Sequence, residues 1–287
     1  MLKYFLGDIM IQINNIKDLD LENTITCGQI FRYEQELDNS YTVILSDRVI
    51  NIKYDNNTLY IESNNEDNLE RVIKDYLDLD RDYITIMNNI KKLDNKLSEC
   101  INQSLGLKMI KQPPIECIIS YIISANNSVR NITNSLNLIS KIYGEKVIFK
   151  NKEYYLFPSL NKLLTITESN FRECKVGFRD KYLVEIIQNI NENKLDINSI
   201  YSMNSTDSLN YLTSFKGIGM KVASCILLFA YQKFDVYPID TWVKKFMLTN
   251  YGIEGEQNIR KYCQETYKEY SGLAIQYMFN SKRNKDM

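Results

Sequence analysis

The chain contains no histidine among its 287 residues. This absence excludes Ser-His-Asp and Cys-His nucleophile pairs, H-E-x-x-H metal sites and any histidine general base. Catalysis by this sequence would therefore have to use Lys, Asp, Glu, Cys or Tyr side chains.

Clustered cysteines are also missing. The six cysteines are scattered without a C-x-x-C pair, which argues against a zinc ribbon, an iron–sulfur cluster and a disulfide framework. No long hydrophobic run predicts a membrane span, and the apolar opening residues are interrupted by Asp8 without a small-residue cleavage site. We therefore expect a cytoplasmic protein with no membrane partner.

A strong excess of either charge is lacking, since the net charge is −1. This balance weakens the case for a nucleic-acid partner without excluding one, because a local basic face is sufficient to bind phosphates.

Two hydrophobic periodicities divide the chain and predict an α+β fold. Residues 40–63 alternate apolar and polar positions, which indicates antiparallel strands with a turn at 55–57. From about residue 67 to the end the periodicity is helical. We predict an N-terminal antiparallel β-sheet domain at 1–112 and an all-α domain at 113–287, divided before Pro113-Pro114. The predicted helices are 68–78, 93–104, 114–124, 128–143, 168–175, 180–192, 206–214, 219–232, 240–250, 256–270 and 272–281.

A Gly-x-Gly turn predicts a hairpin at about 212–222. Gly217 and Gly219 can take positive φ and admit close approach of another chain. The amides of 218–221 would then lie at the start of a helix, where they have no intrahelical acceptors and can bind a phosphate. On its own, Gly-x-Gly is more often a plain helix–helix turn.

Two charged residues near this hairpin are candidates for catalysis. Lys221 falls in the first helical turn, where the helix dipole disfavours the ammonium form, and a neutral amine is the nucleophile that forms a Schiff base. Cys225 follows one turn later on the same side. Asp240 is predicted to begin a helix, where a fixed carboxylate could stabilise a cationic transition state. The alternatives are a solvated lysine beside a core cysteine and a simple helix cap.

Seven motifs in order resemble the helix-hairpin-helix DNA glycosylases that end in a Gly/Pro…Asp loop. Within that superfamily they are most similar to the 8-oxoguanine DNA glycosylase branch, and the resemblance covers nearly the whole chain. The motifs are Cys-Gly-Gln-Ile-Phe-Arg at 27–32, Pro-Ile-Glu-Cys at 114–117, Ser-Ala-Asn-Asn at 124–127, Phe-Pro-Ser-Leu at 157–160, Gly-Phe-Arg at 177–179, the block 217–240, and Tyr-Ser-Gly-Leu-Ala at 270–274.

The resemblance implies a bifunctional base-excision repair enzyme with a TATA-binding-protein-like N-terminal sheet. Its partner would be double-stranded DNA containing 8-oxoguanine, and we expect it to act as a monomer without a cofactor. By resemblance, Lys221 attacks C1′ of the flipped nucleotide to form a Schiff base that undergoes β-elimination, while Asp240 stabilises the developing positive charge. The Gly28 carbonyl would accept a hydrogen bond from N7–H, which 8-oxoguanine has and guanine lacks.

Further roles are implied by the same resemblance. Cys225 and Phe279 would sandwich the flipped base beside Pro238. Asn126 and Arg179 would hold the cytosine left behind.

Phe178 would wedge into the vacated base stack, although core packing is an equal alternative without the family. The carbonyls of Thr213, Phe215 and Ile218 match positions where the family binds a structural cation, and no catalytic metal is implied.

The sequence departs from the family pattern at base-reading positions. Animal members carry an arginine at the position of Asn131, so we predict a weaker preference for cytosine opposite the lesion. Ile275 replaces a glutamine that reads the lesion, and the adjacent Gln276 is expected to point elsewhere on a regular helix.

Two other functions remain open at this point. A monofunctional alkylated-base DNA glycosylase would lack the nucleophilic lysine. A non-catalytic helix-hairpin-helix DNA-binding protein would need neither Lys221, Asp240 nor Gly28.

Overall fold

The computed structural model describes residues 9–283, which begin with an antiparallel sheet. Its strand order is β1-β5-β4-β3-β2, and a short hairpin of two further strands follows later in the chain. The strands are β1 (Ile9–Ile13), β2 (Tyr33–Gln35), β3 (Tyr41–Ile44), β4 (Val49–Asp55), β5 (Thr58–Ser63), β6 (Lys146–Phe149) and β7 (Lys152–Tyr155).

The β4–β5 turn occurs where the sequence predicts it. Asn56 and Asn57 both have positive φ, 49° and 60°, which matches the right-handed twist of a two-residue hairpin. In the resulting register Ile52 lies opposite Ile61. Both side chains are fully buried and pack in one cluster with Ile73 of the first long helix, so this helix covers one face of the sheet.

Helices dominate the remainder, as the periodicity predicts, and the α+β fold class is confirmed. Short 3-10 helices occur at Asn95–Leu97, Gly177–Arg179, Ser199–Tyr201 and Lys268–Tyr270. The α-helices are α1 (Leu21–Thr26), α2 (Leu69–Tyr76), α3 (Tyr83–Leu93), α4 (Ser98–Gln103), α5 (Pro114–Ser124), α6 (Val129–Tyr143), α7 (Leu160–Leu163), α8 (Glu168–Glu173), α9 (Asp180–Asn191), α10 (Ser205–Thr213), α11 (Met220–Tyr231), α12 (Thr241–Tyr251), α13 (Glu256–Thr266) and α14 (Ser271–Arg283).

The prediction of an all-α region after residue 113 is wrong at 146–155, where β6 and β7 pair. Lys150 and Asn151 both take positive φ, so they form the turn of a β-hairpin. Phe149 and Tyr154 pack in one cluster with Val49 of β4. Contact with the N-terminal sheet therefore buries one face of this hairpin. Strands of four residues are too short for their alternation of apolar and polar residues to be recognised in the sequence.

The larger hydrophobic core extends across the predicted 112/113 boundary. It combines α3 and α4 with the later helices. The last helix, α14, packs on α4, and Asn280 donates a hydrogen bond to Ser104 Oγ at 3.0 Å. The domain division stays a prediction, and its ends at 1–8 and 284–287 lie outside the described residues. No helix within 9–283 combines the length and apolar character needed to cross a membrane.

A buried carboxylate joins α12 and α13 to the segment after α3. Asp94 accepts hydrogen bonds from the hydroxyls of Tyr251 at 2.7 Å, Tyr262 at 3.2 Å and Tyr267 at 2.5 Å. Burial and the contact with Asp94 raise the pKa of Tyr267 far above its usual range, so its hydroxyl remains a donor. These bonds hold the helix that begins at Asp240 against the remainder of the fold.

Candidate active site

A cavity of about 640 Å³ lies between α5, α11, α12, α14 and the segment after α1. It brings together side chains and backbone that are far apart in the sequence. The sequence-predicted residues that line it are Gly28, Asn126, Lys221, Cys225, Pro238, Asp240, Ile275, Gln276 and Phe279.

Lys221 occupies the first turn of α11 and is partly buried at the cavity wall. Nearby lysines are engaged, because Lys216 pairs with Glu185 at 3.8 Å and Lys244 pairs with Glu256 at 3.1 Å. No ion pair of Lys221 is found in the part of the chain that the structure describes. Its amine is thus not held by a carboxylate and can approach a bound ligand.

Asp240 is the N-cap of α12 and accepts a hydrogen bond from the amide of Val243 at 2.8 Å. This bond uses one carboxylate oxygen, and Asp240 also lines the cavity. The predicted cap is therefore present, and it places a fixed negative charge in the same cavity as Lys221.

Cys225 is 3% exposed on the same helix as Lys221. Burial raises the pKa of its thiol to about 12, while the positive charge of Lys221 opposes this change and Asp240 adds to it. A neutral thiol is a poor nucleophile, so Cys225 contributes an apolar contact surface to the cavity.

The hairpin before α11 differs from the prediction in two details. Gly217 has the expected positive φ of 87°, and a Cβ there would lie 2.7 Å from Tyr182 Cβ. Gly219 has φ −83° instead, because it is the extended N-cap of α11. The amide of Ile218 is also not free, since it donates to the Phe215 carbonyl at 3.2 Å. The amides that remain open for a phosphate are therefore those that begin α11 itself, and phosphate binding there stays a prediction.

The carbonyls proposed to bind a structural cation lie on either side of this turn. Thr213 ends α10, and Phe215 and Ile218 are joined by the turn hydrogen bond. The cation site stays a prediction.

The family model for the N-terminal domain of 8-oxoguanine DNA glycosylase matches residues 10–118. The crystal structure of Clostridium acetobutylicum 8-oxoguanine glycosylase/lyase, in complex with dsDNA containing cytosine opposite 8-oxoG, superposes with a TM-score of 0.90 at 33% identity. The match covers 98% of this chain and 99% of that one. The chain belongs to the 8-oxoguanine DNA glycosylase family.

Two curated relatives of this 8-oxoguanine DNA glycosylase are enzymes by name. A probable N-glycosylase/DNA lyase of Methanothermobacter thermautotrophicus is 29% identical over 66% of this chain and 68% of its own length. The N-glycosylase/DNA lyase OGG1 of Arabidopsis thaliana is 25% identical over 91% of this chain and 77% of its own length.

At the cavity of this glycosylase, Ile275 and Gln276 both contribute to the lining, and the expected direction of the Gln276 side chain stays a prediction. Its Nε2 lies 3.5 Å from the carbonyl of Cys27, and its side chain is buried against the segment that contains Gly28. This contact joins α14 to the segment that directly precedes Gly28.

Arg179 fixes the loop that carries Asn126. Its side chain, 6% exposed, donates to the carbonyls of Ala125, Asn126 and Val176, at 3.2 Å to Asn126 and 2.9 Å to Val176. Burial lowers the pKa of the guanidinium from its ordinary value. The proposed contact of Arg179 with cytosine stays a prediction, and it would require these donors to be shared with DNA.

Phe178 and Asn131 lie at the surface outside the cavity lining. Phe178 is 61% exposed and stacks on Arg179, whose Cζ is 4.4 Å from the ring centroid. An exposed aromatic ring on a short 3-10 helix favours the wedge over core packing. Asn131 is exposed in the first turn of α6.

Sequence reasoning missed several cavity residues. Tyr121, Phe31 and Phe229 line it, and so does Trp242, which is 41% exposed. Phe31 belongs to a recognised motif, and Tyr121 follows Glu116-Cys117 on the central helix, so motif membership was the available signal.

A larger depression of about 860 Å³ lies beside α2. Its Lys74 and Lys111 pair with Glu70 and Asp75, so neither offers an amine without a carboxylate partner, as Lys221 does.

Proposed function

We propose that this protein is a bifunctional DNA glycosylase and AP lyase that flips 8-oxoguanine out of duplex DNA and excises it in base-excision repair. The observation that carries the proposal is that Lys221 and Asp240 line the same cavity as Gly28, Cys225 and Phe279. The volume of about 640 Å³ accommodates a nucleoside, and flipping is required because C1′ is inaccessible inside a base stack.

The chemistry begins when the Lys221 amine attacks C1′ and the bond from C1′ to N9 breaks. The proton released by the amine passes to the departing base, and Asp240 lies in the cavity to carry it. Its negative charge also stabilises the positive charge that develops on the sugar.

Strand cleavage follows from the covalent adduct. Opening of the sugar ring gives an iminium bond between Nζ and C1′, with the released O4′ taking up a proton. The iminium acidifies the C2′ hydrogen, so its removal breaks the bond from C3′ to oxygen and releases the 3′ phosphate. Hydrolysis of the conjugated imine then restores the free lysine.

Base recognition is proposed to combine one polar contact with apolar stacking. The Gly28 carbonyl accepts a hydrogen bond from N7–H, and Cys225 and Phe279 face the two sides of the base. Guanine has no N7–H and would leave the carbonyl unpaired in a buried site, which costs binding free energy.

Contacts with DNA outside the cavity are proposed at the hairpin and the neighbouring loops. The open start of α11 after Gly217 and Gly219 would bind a phosphate. Phe178 would fill the vacated stack, with Asn126 and Arg179 beside the remaining cytosine.

Monomeric action in the cytoplasm is part of the same proposal. One chain supplies every residue of the cavity described above. The six cysteines are all buried and form no disulfide, which suits a reducing compartment.

Borohydride trapping on a duplex that contains 8-oxoguanine tests the reaction. Sodium borohydride reduces the iminium to a stable amine, so the native protein should become covalently linked to DNA. Lys221→Gln should abolish the adduct. Lys244→Gln, which removes another lysine that lines the cavity, should still give it. No adduct with the native protein would refute the Schiff-base mechanism.

A further inference from the structure

Gly28 is a flexible residue in a position that requires a fixed carbonyl. It has φ 88°, lines the cavity and directly follows Cys27, the C-cap of α1. A glycine peptide without support rotates readily, because no Cβ restricts it. A hydrogen bond that distinguishes two bases needs an acceptor with a defined direction, so neighbouring groups must hold this peptide.

The side chain of Gln29 holds one side of the segment. It is fully buried, and its Nε2 donates to the Lys108 carbonyl at 2.8 Å and to the Thr24 carbonyl at 3.2 Å. Its Oε1 accepts from the amide of Ile110 at 2.8 Å. The side chain is therefore committed to backbone groups behind the cavity and is not a ligand for the base.

The backbone carbonyl of Gln29 receives two further donors. Gln112 Nε2 donates at 2.8 Å and the Tyr121 hydroxyl at 3.1 Å. The ring of Tyr121 is itself fixed, since it stacks on Phe229 at 5.5 Å and meets Phe31 edge-on at 5.7 Å. The residue after Gly28 is thus anchored through both its side chain and its carbonyl.

We propose that Gln112 and Tyr121 are positioning residues for base selectivity, which act by holding the Gln29 carbonyl and thereby the orientation of the Gly28 carbonyl. The ligand class that benefits is a purine with a hydrogen on N7. This inference rests on the proposed function. Neither residue takes part in the reaction at C1′, so base excision and strand cleavage at an existing abasic site should respond differently to their loss.

The variants are Gln112→Met and Tyr121→Phe, which remove one donor each and retain the approximate shape of the side chain. The control is Tyr231→Phe, which removes a buried hydroxyl that donates to the Ile197 carbonyl at 2.9 Å, outside the cavity lining. Two single-turnover rates are measured for each protein, one for excision of 8-oxoguanine and one for cleavage of a duplex with a preformed abasic site.

We expect each variant to excise 8-oxoguanine about tenfold more slowly. In Gln112→Met, whose residue is outside the cavity lining, cleavage at the abasic site should change by less than about twofold. The control should match the native protein in both rates. Equal loss of both activities, or no loss of excision, would overturn the positioning role. Native protein that is inactive on both substrates would instead refute the proposed function.

Discussion

The carboxylate of Asp240 lies 2.8 Å from the amide of Val243, so one side chain both begins α12 and faces the cavity of Lys221. The two roles can be separated, because an asparagine caps a helix about as well as an aspartate but carries no charge. Asp240→Asn should leave the free energy of unfolding within about 0.5 kcal/mol of native. Base excision should fall by at least about a hundredfold, as for the loss of one charge-stabilising group.

Asp240→Ala is the matched comparison for the cap. It removes the hydrogen bond as well as the charge and should cost about 1 kcal/mol of stability in denaturant unfolding. Equal activity of Asp240→Asn and the native enzyme would show that the carboxylate is only a cap.

Substitution of the two hairpin glycines should destabilise the protein to different extents. Gly217→Ala places a Cβ 2.7 Å from Tyr182 Cβ at positive φ, and we expect a loss of stability on the order of 3 kcal/mol. Gly219→Ala has open space around the new Cβ and should cost about 1 kcal/mol or less.

Gly219→Ala, the less destabilising substitution, should nevertheless weaken DNA binding. The methyl group of Gly219→Ala would face an approaching phosphate and should weaken duplex binding about tenfold, as measured by fluorescence anisotropy at fixed salt. Undiminished affinity of Gly219→Ala would place the phosphate elsewhere.

Selectivity for the base opposite the lesion should be weak in the native protein. Asn131 is short and exposed in the first turn of α6, where animal members of the family carry an arginine. Single-turnover excision of 8-oxoguanine paired with C, A, G or T should vary by less than about tenfold, because one bidentate contact is missing. A strong cytosine preference would contradict this.

Restoring the arginine tests the same position in the other direction. Asn131→Arg should increase the ratio of the rates for cytosine and adenine by about tenfold. The control Asn137→Arg adds the same charge to an exposed position on a different face of α6 and should not change the ratio.

The buried thiol of Cys225 should make stability depend on alkaline pH. Its pKa is about 12 in the folded protein, above the unfolded value of about 8.5, so the folded state retains a proton that the unfolded state loses. Its stabilising contribution is complete below about pH 8.5 and declines as the pH rises toward 12.

Replacement of this thiol should therefore flatten the alkaline decline. Cys225→Ala should reduce the slope of unfolding free energy against pH between about 9 and 10 by up to about 1.4 kcal/mol per pH unit. Denaturant unfolding at several pH values measures the slope, and an unchanged slope would show that the thiol ionises freely.

Much of the fold was predictable because local signals and packing agree. Pro114 begins α5 as predicted, and the β4–β5 turn occurs at the asparagine pair. The hairpin at 146–155 was not predictable, because its stabilising contact is with Val49, about a hundred residues earlier.

The candidate site shows the same division. Lys221 and Asp240 could be found from helix-start signals, since each depends on its own few neighbours. The position of the Gln276 side chain could not be predicted, because it depends on a contact with the Cys27 carbonyl, about 250 residues earlier. The anchoring of Gln29 was equally hidden, as its partners come from the 108–121 region.

The packing of α14 on α4 has a consequence for biosynthesis. Ile275 and Phe279 of α14 line the cavity together with Gly28. A nascent chain whose α14 is still inside the ribosome has therefore exposed Lys221 but lacks part of the cavity lining. Lys221 and the complete cavity lining therefore come together only after nearly all of the described chain has emerged.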